Sequence, residues 1–164
     1  MLAAAKQRST RDWLMILVGF SHGLRASEVI AITRDAIADG YLTVKRLKGS
    51  KRTVQPLLQN ENPLLDERKA LLDYASKSNG NQRLFPVTRR TFYNIVSRHA
   101  KAAGIPKHLA HPHILKHSIA MQTIDKAGIQ NVRQYLGHES IASTGKYLKV
   151  NDSAASAAIR EATK

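Results

Sequence analysis

The chain has 164 residues, and its 43% hydrophobic content is enough for one folded domain with a sizeable core. It contains no cysteine, which excludes disulfides, a thiol nucleophile and thiolate metal sites and is compatible with a reducing cytoplasm. The net charge of +14 indicates a polyanionic partner, with nucleic acid the first candidate. A ribosomal or architectural protein would carry the same charge, so the motifs must separate an enzyme from a passive binder.

The first elements along the chain are predicted to be helical. The longest apolar run lies between residues 13 and 20, far short of the roughly 20 residues that a bilayer span needs, so it predicts a buried helix and no membrane association. Asp12 is the predicted cap of this helix and Gly23 its end. A second helix is predicted from about Ser27, and no signal peptide precedes either one.

The middle of the chain contains the only sheet signal. Segment 40–56 has β-branched and aromatic residues on both sides of a Lys-Gly-Ser turn, which predicts a hairpin. Beyond Pro63 the apolar spacing is helical, and helices are predicted over 64–76, 89–103, 113–127, about 130–136 and 141–148. The predicted fold is therefore α+β and mainly helical, with one small antiparallel sheet, in a single domain.

Two basic residues stand at predicted turns. Arg25 lies at the junction between the first two helices, where its planar guanidinium could bind two phosphate oxygens at once. The alternative is an ordinary surface arginine beside a helix start. Lys48 lies at the hairpin tip, from which an ammonium group could protonate a departing oxygen as a general acid. Lys51 competes for that role, and basic hairpin tips are usually plain phosphate contacts.

A histidine-rich motif begins the helix predicted at 113. Its sequence is His-Pro-His-Ile-Leu-Lys-His, and the helical repeat places His113 and Lys116 on one face, where they could bracket a phosphate. His113 and His117 also have the spacing of helical zinc ligands, and His111 could complete a three-histidine site. No glutamate follows His113 directly, as the metalloprotease motif requires. A purely structural cluster is the other alternative.

The last motif joins a histidine to a tyrosine nine positions later. Gly137 is predicted to end a helix so that His138 points away from its terminus, and Tyr147 lies on the short helix that follows. Tyr147 could be a nucleophile presented to the same pocket, or a half-buried packing residue. Attack on a phosphodiester without a metal requires cationic groups that converge on the phosphate oxygens and a nucleophile such as a tyrosine hydroxyl.

These motifs, in this order and spacing, resemble the catalytic domain of the tyrosine site-specific recombinases, the phage integrase and Xer-like family, over about residues 10–150. The resemblance rests on Gly-Leu-Arg-x-Ser-Glu, a Lys-Gly hairpin, Pro-His-x-Leu-basic-His, Leu-Gly-His and the tyrosine. It implies a domain that binds double-stranded DNA, cleaves and rejoins its strands through a 3′-phosphotyrosyl intermediate, and needs no metal, ATP or other cofactor.

The resemblance also implies a role for each matching residue. Arg25 would hold the scissile phosphate, Lys48 would be the general acid and Tyr147 the nucleophile. His113 matches the histidine of the family's His-x-x-Arg box, and we expect it to accept the tyrosine proton. His138 matches the donor that precedes the nucleophile.

Two departures from the family pattern qualify this expectation. Lys116 stands where the family has its second arginine, which keeps the charge but loses the bidentate fork, so we expect slow yet competent cleavage. The matching motifs begin close to residue 1, so we expect residues 1–164 to be one catalytic domain without the family's N-terminal DNA-clamp domain, either a fragment or a short form. We expect the chain to be a monomer in solution and to form a tetramer on DNA, in which the alanine-rich tail, 151–164, would pass from one subunit to the next.

Two other functions remain open from the sequence. A type IB topoisomerase shares the chemistry, and a DNA-binding relative without catalysis would keep the charge while Tyr147 packs in the core. The expected location is cytoplasmic, associated with the nucleoid if the source is bacterial, archaeal or phage.

Overall fold

The computed structural model describes residues 1–46, 52–137 and 160–161. Its α-helices are α1 Leu2–Arg8, α2 Thr10–Ser21, α3 Ala26–Val29, α4 Glu67–Ala75, α5 Arg89–Ala102 and α6 His113–Tyr135. Its strands are β1 Ile37–Ala38, β2 Tyr41–Val44 and β3 Thr53–Pro56, and short 3-10 turns lie at Arg34–Ala36 and Lys107–Leu109. The predicted fold class, α+β and mainly helical with one small antiparallel sheet, is confirmed.

Helix α2 supplies the centre of the main hydrophobic core. Every residue from Trp13 to Val18 is buried, which confirms the helix expected from the apolar run. Its cap is Ser9, whose hydroxyl accepts a hydrogen bond from the backbone N–H of Asp12 at 3.2 Å, so the predicted Asp12 cap is wrong. The Asp12 carboxylate instead forms an ion pair with Arg11. The helix ends just before Gly23, which adopts a positive φ of 58°.

The three strands pair in the order β1-β2-β3, all antiparallel. Strands β2 and β3 are the two arms of the predicted hairpin, in a register that places Val44 opposite Thr53. The hairpin tip, residues 47–51, lies outside the described residues. Strand β1 was not predicted, because a strand of two residues carries no readable alternation.

Helix α6 is two helical segments joined at Gly128, whose φ of 77° and ψ of 154° are not helical. The segments correspond to the helices predicted at 113–127 and about 130–136, and they pack on each other through a second small core of Ala120, Ile124, Val132 and Leu136. The helix predicted at 141–148 lies outside the described residues. Within the described ranges, no helix is long and apolar enough to span a bilayer.

The end of α6 contacts the α2–α3 junction at Gly23. A Cβ atom at Gly23 would clash with the side chain of Leu136, and the positive φ of 58° already favours glycine there. The absence of a side chain therefore lets the residues preceding Arg25 and those preceding His138 approach closely.

Candidate active site

An open cleft of about 930 Å³ lies where the α2–α3 junction meets the first turns of α5 and α6. Its polar lining consists of Arg25, Ser27, Arg89, Arg90, Tyr93, His111 and His113. No acidic side chain is among the described residues that line it. A concave surface with three guanidinium groups and two imidazoles favours an anion, and arginine in particular favours the oxygens of a phosphate.

Arg25 is held by a carboxylate on its own helix. It is the N-cap residue of α3, and the buried Glu28 accepts hydrogen bonds from the Arg25 backbone N–H at 2.8 Å and from Nη1 at 3.0 Å. Helix α3 begins at Ala26, one residue before the predicted start at about Ser27. The Arg25 side chain remains 33% exposed while that of Glu28 is fully buried, so the carboxylate orients a guanidinium that still meets the cleft.

His113 begins α6 and lies in the same cleft as Arg25. Burial of its ring lowers the pKa of His113 below its usual value, and the positive charges of His111 and Lys116 lower it further. A lowered pKa leaves the imidazole neutral at physiological pH, and a neutral imidazole can accept a proton.

Lys116 occupies a different environment from His113, although the two lie on the same turn of α6. It is 2% exposed, and its Nζ donates a hydrogen bond to the carbonyl oxygen of Leu136 at 2.9 Å. Burial lowers the pKa of Lys116 to about 7, and Arg46 and Arg25 contribute to this shift. Lys116 is not among the described residues that line the cleft.

Further buried side chains hold the end of α6. Gln55 Nε2 donates to the carbonyl oxygen of Tyr135 at 2.7 Å, and Gln55 Oε1 lies 2.9 Å from His22 Nδ1. The other ring nitrogen of His22 lies 2.7 Å from Glu67 Oε1. The Tyr135 hydroxyl donates to the carbonyl of Ser21. This network joins β3, α4 and α6 to Ser21 and His22 at the end of α2, shortly before Arg25.

The other predicted site residues lie outside the described residues: Lys48 with its competitor Lys51, His138 and Tyr147. The structure does describe the residues that lead to them. Arg46, two positions before Lys48, is buried, and so is Gly137, which directly precedes His138. Arg46 contacts Glu28, the carboxylate that holds Arg25, and a Cβ atom on Gly137 would lie 3.0 Å from Arg46 Cγ.

The three-histidine zinc site is not formed. Across residues 1–46, 52–137 and 160–161, no group of three His, Asp or Glu side chains is placed to hold a metal ion, although His111, His113 and His117 all belong to these ranges. Two of these histidines, His111 and His113, line the cleft instead.

Sequence reasoning missed the contribution of α5 to the site. Arg89 and Arg90 occupy the first turn of this helix, and the Arg90 guanidinium lies 5.7 Å from the ring centre of Tyr93. These three exposed residues alternate with buried Phe92 in the amphipathic pattern of the helix. The pattern predicted their exposure, but only the tertiary fold brings them beside Arg25.

The chain is similar in sequence and in fold to several known recombinases. The chain is 32% identical over 160 residues to the tyrosine recombinase XerD of Xanthomonas campestris, covering 85% of this chain and 48% of the relative. The XerH site-specific recombinase in complex with its difH substrate has a similar fold, with a TM-score of 0.76, 19% identity and coverage of 96% of this chain and 50% of that one. The catalytic domain of bacteriophage HP1 integrase has a TM-score of 0.65 at 24% identity, and the match covers 97% of this chain and 87% of that one.

The chain spans about half the length of the Xer recombinases that it matches. The model of the phage integrase family matches residues 1–154, nearly the whole sequence. With the cationic cleft around Arg25 and His113, this match establishes that the chain belongs to the phage integrase family of tyrosine recombinases.

Proposed function

We propose that this chain is the catalytic domain of a site-specific DNA recombinase, which breaks and rejoins strands of double-stranded DNA through a tyrosyl intermediate. The observation that carries the proposal is the cleft in which Arg25 and His113 come together with Arg89 and Arg90. No carboxylate is among the described residues of its lining. Family membership supports the same chemistry, as does the DNA complex of lambda integrase, which has a similar fold.

The proposed reaction begins with attack by the Tyr147 hydroxyl oxygen on the scissile phosphorus. The phenolic proton passes to neutral His113, whose lowered pKa suits it as a base. The bond between phosphorus and the 5′-oxygen breaks, and Lys48 protonates that oxygen as it leaves. The product is a 3′-phosphotyrosyl bond and a free 5′-hydroxyl. Attack by a 5′-hydroxyl from the partner strand reverses these steps and releases Tyr147.

Arg25 and His138 are proposed to bind the non-bridging phosphate oxygens during this reaction. Glu28 prepares the Arg25 guanidinium before DNA arrives, so little reorganisation is needed when negative charge develops on the phosphate. The bond energy is conserved in the phosphotyrosyl link, and we therefore expect cleavage to proceed in EDTA and without ATP.

Lys116 is proposed to limit the rate. Its Nζ donates to Leu136, whereas an arginine could bond that carbonyl and still direct other N–H groups towards a phosphate. We expect Lys116→Arg to raise single-turnover cleavage by about tenfold, since one phosphate donor contributes roughly a hundredfold and the lysine cation retains part of that effect. An equal or slower rate in the variant would contradict this proposal. Lys126→Arg, at an exposed position of the same helix, is the matched control.

The assembly is proposed to be a tetramer on DNA that forms from monomers in solution. Residues 1–164 would act as one catalytic domain, with tail 151–164 passing to a neighbouring subunit. Deleting residues 153–164 should impair pairing of two DNA sites more than binding to one site. Gel-shift analysis separates the two effects, and equal losses would refute the exchange of the tail.

The nucleophile is tested with nicked suicide substrates, which trap a covalent adduct because the cleaved strand diffuses away. In EDTA the wild-type chain should form an adduct that peptide mass spectrometry maps to Tyr147, and Tyr147→Phe should abolish it. Tyr93→Phe is the matched control, because this tyrosine is exposed in the cleft and its loss should leave the adduct intact.

Other outcomes separate the competing functions. Intact DNA binding with no adduct on any suicide substrate indicates a DNA-binding relative without catalysis, a function that the burial of Lys116 would then explain. Rapid relaxation of supercoiled plasmid without sequence preference indicates topoisomerase-like activity. An adduct on Tyr93 overturns the assignment of the nucleophile.

A further inference from the structure

Arg46 is an arginine whose side chain has no solvent exposure. It follows β2 by two residues and continues the inward-facing positions of Leu42 and Val44. Arginine is almost never fully buried unless it is paired, because removing its charge from water is costly. The contacts that compensate for burial therefore show what the residue holds in place.

The guanidinium of Arg46 makes contacts with the segments on both sides of the α2–α3 junction. Nη2 donates to the carbonyl oxygen of His22 at 3.1 Å, and Nη1 donates to that of Gly23 at 3.3 Å. Nη1 also lies 3.3 Å from Glu28 Oε2, the same oxygen that accepts the Arg25 backbone N–H. Arg46 thus fixes the backbone before Arg25 and the carboxylate that orients its side chain.

Two other segments depend on the same side chain. Nε donates to the Thr53 hydroxyl at 2.9 Å, which closes the base of the hairpin, and Nη2 donates to the Tyr135 carbonyl at 3.0 Å at the end of α6. A Cβ atom on Gly137 would lie 3.0 Å from Arg46 Cγ, so the residue before His138 packs directly on the aliphatic stem. This packing contact is independent of the hydrogen bonds.

Each segment that Arg46 holds continues into a proposed catalytic residue. His22 and Gly23 lead to Arg25, the hairpin base carries Lys48, and Gly137 precedes His138. We propose that Arg46 is a positioning residue that holds Arg25 in place before DNA binds and fixes the described segments that lead to the other two groups. It contacts no reacting atom, and the inference rests on the proposed recombinase function. The rigid planar fork is essential, because a lysine in its place has no second nitrogen to join α2 to α6.

The test compares Arg46→Lys and Arg46→Met with Leu71→Ala, which removes buried packing from α4. Urea unfolding of each variant comes first, so that cleavage is measured at a temperature at which all are folded. The readouts are the affinity for a suicide substrate and the single-turnover rate of Tyr147 adduct formation at saturating DNA. We expect both Arg46 variants to lose at least tenfold in rate relative to Leu71→Ala, with affinity changed less than threefold.

A milder variant covers the case in which Arg46→Met does not fold. Thr53→Val removes one acceptor of Arg46 and leaves its charge partner Glu28 in place, and it should slow cleavage two- to fivefold at unchanged affinity. Rates that match Leu71→Ala, or losses confined to affinity, would overturn the positioning role. If the wild-type chain itself forms no adduct, the recombinase function fails and the role of Arg46 in catalysis fails with it. A reacting wild type with unaffected Arg46 variants refutes the positioning role alone.

Discussion

The buried ammonium of Lys116 predicts that this protein becomes more stable as the pH rises from neutral to about 9. Burial, together with the positive charges of Arg46 and Arg25, lowers the pKa of Lys116 from 10.5 to about 7. In the unfolded chain the same lysine keeps its ordinary pKa. Between pH 7 and pH 10.5 the unfolded chain therefore binds more protons than the folded one, and folding becomes more favourable as protons are removed.

The size of the effect follows from proton linkage. A difference of nearly one bound proton changes the free energy of unfolding by about 1.4 kcal/mol per pH unit, so we expect a gain of about 2 kcal/mol between pH 7.5 and pH 9. The destabilisation is fully present below pH 7. Burial raises the pKa of Tyr135 to about 12, so above pH 10 the folded chain binds more protons than the unfolded chain and stability falls as the pH rises. The measurement is therefore kept below pH 10.

The measurement is urea unfolding at several pH values, followed through the fluorescence of the single tryptophan, Trp13, which is buried in the core. Lys116→Met removes the charge and should reduce the change over this range to less than about 0.5 kcal/mol. Lys126→Met, at an exposed position of α6, should keep the wild-type slope. An equal dependence of unfolding free energy on pH in wild type and Lys116→Met would refute the argument, because it would show that folding does not lower the pKa of Lys116.

Three further predictions concern DNA binding, a buried pair and the close approach at Gly23. Arg89→Gln and Arg90→Gln should each reduce the slope of log affinity against log salt by about 1, while Arg98→Gln, exposed on α5 but absent from the cleft lining, should change it little. Glu67→Ala should lower the free energy of unfolding in urea by about 3 kcal/mol, because it leaves the His22 ring and the Leu58 N–H without their acceptor. Glu61→Ala, at an exposed position, is the control, and equal losses in the two variants would contradict the reasoning. Gly23→Ala should cost at least about 1 kcal/mol through the positive φ and the clash with Leu136, and a melting temperature unchanged from wild type would count against it.

Local patterns in the sequence predicted most of the helices and the two arms of the hairpin. Helices α2 and α5 give strong signals because each helix extends over three turns or more, with an apolar run in α2 and amphipathic spacing in α5. Helix α1 was missed because a seven-residue, alanine-rich segment has little pattern of its own. Its position depends on tertiary contacts such as the bond from Lys6 Nζ to the Pro63 carbonyl, which joins residues 57 positions apart.

The candidate site shows the same division between local and tertiary information. Arg25 and His113 were identified from motifs, and the fold brings both to one cleft. The motif around Lys116 predicted a shared face with His113, but it carried no information about the Leu136 carbonyl, 20 residues away, that receives the ammonium. Arg46 lies within the segment predicted to be a hairpin, and nothing in the sequence analysis singled it out. Its even spacing from Leu42 and Val44 was the one signal that its side chain points inward.

The balance of charge beneath the cleft explains why such a site would favour a phosphate. Burial lowers the pKa values of Arg46 and Lys116, and the positive charge of Arg25 lowers both further. The carboxylate of Glu28 raises both pKa values and so offsets part of each shift. An anion bound at Arg25 would supply part of the missing negative charge and relieve this repulsion. The hydrogen bonds of Arg46 to backbone carbonyls prevent the cations from separating before that anion arrives. A bound phosphate would therefore meet positive charges that are already fixed in position. Electrostatic stabilisation of a transition state requires such preorganised charges, because no energy is then spent on moving them during the reaction.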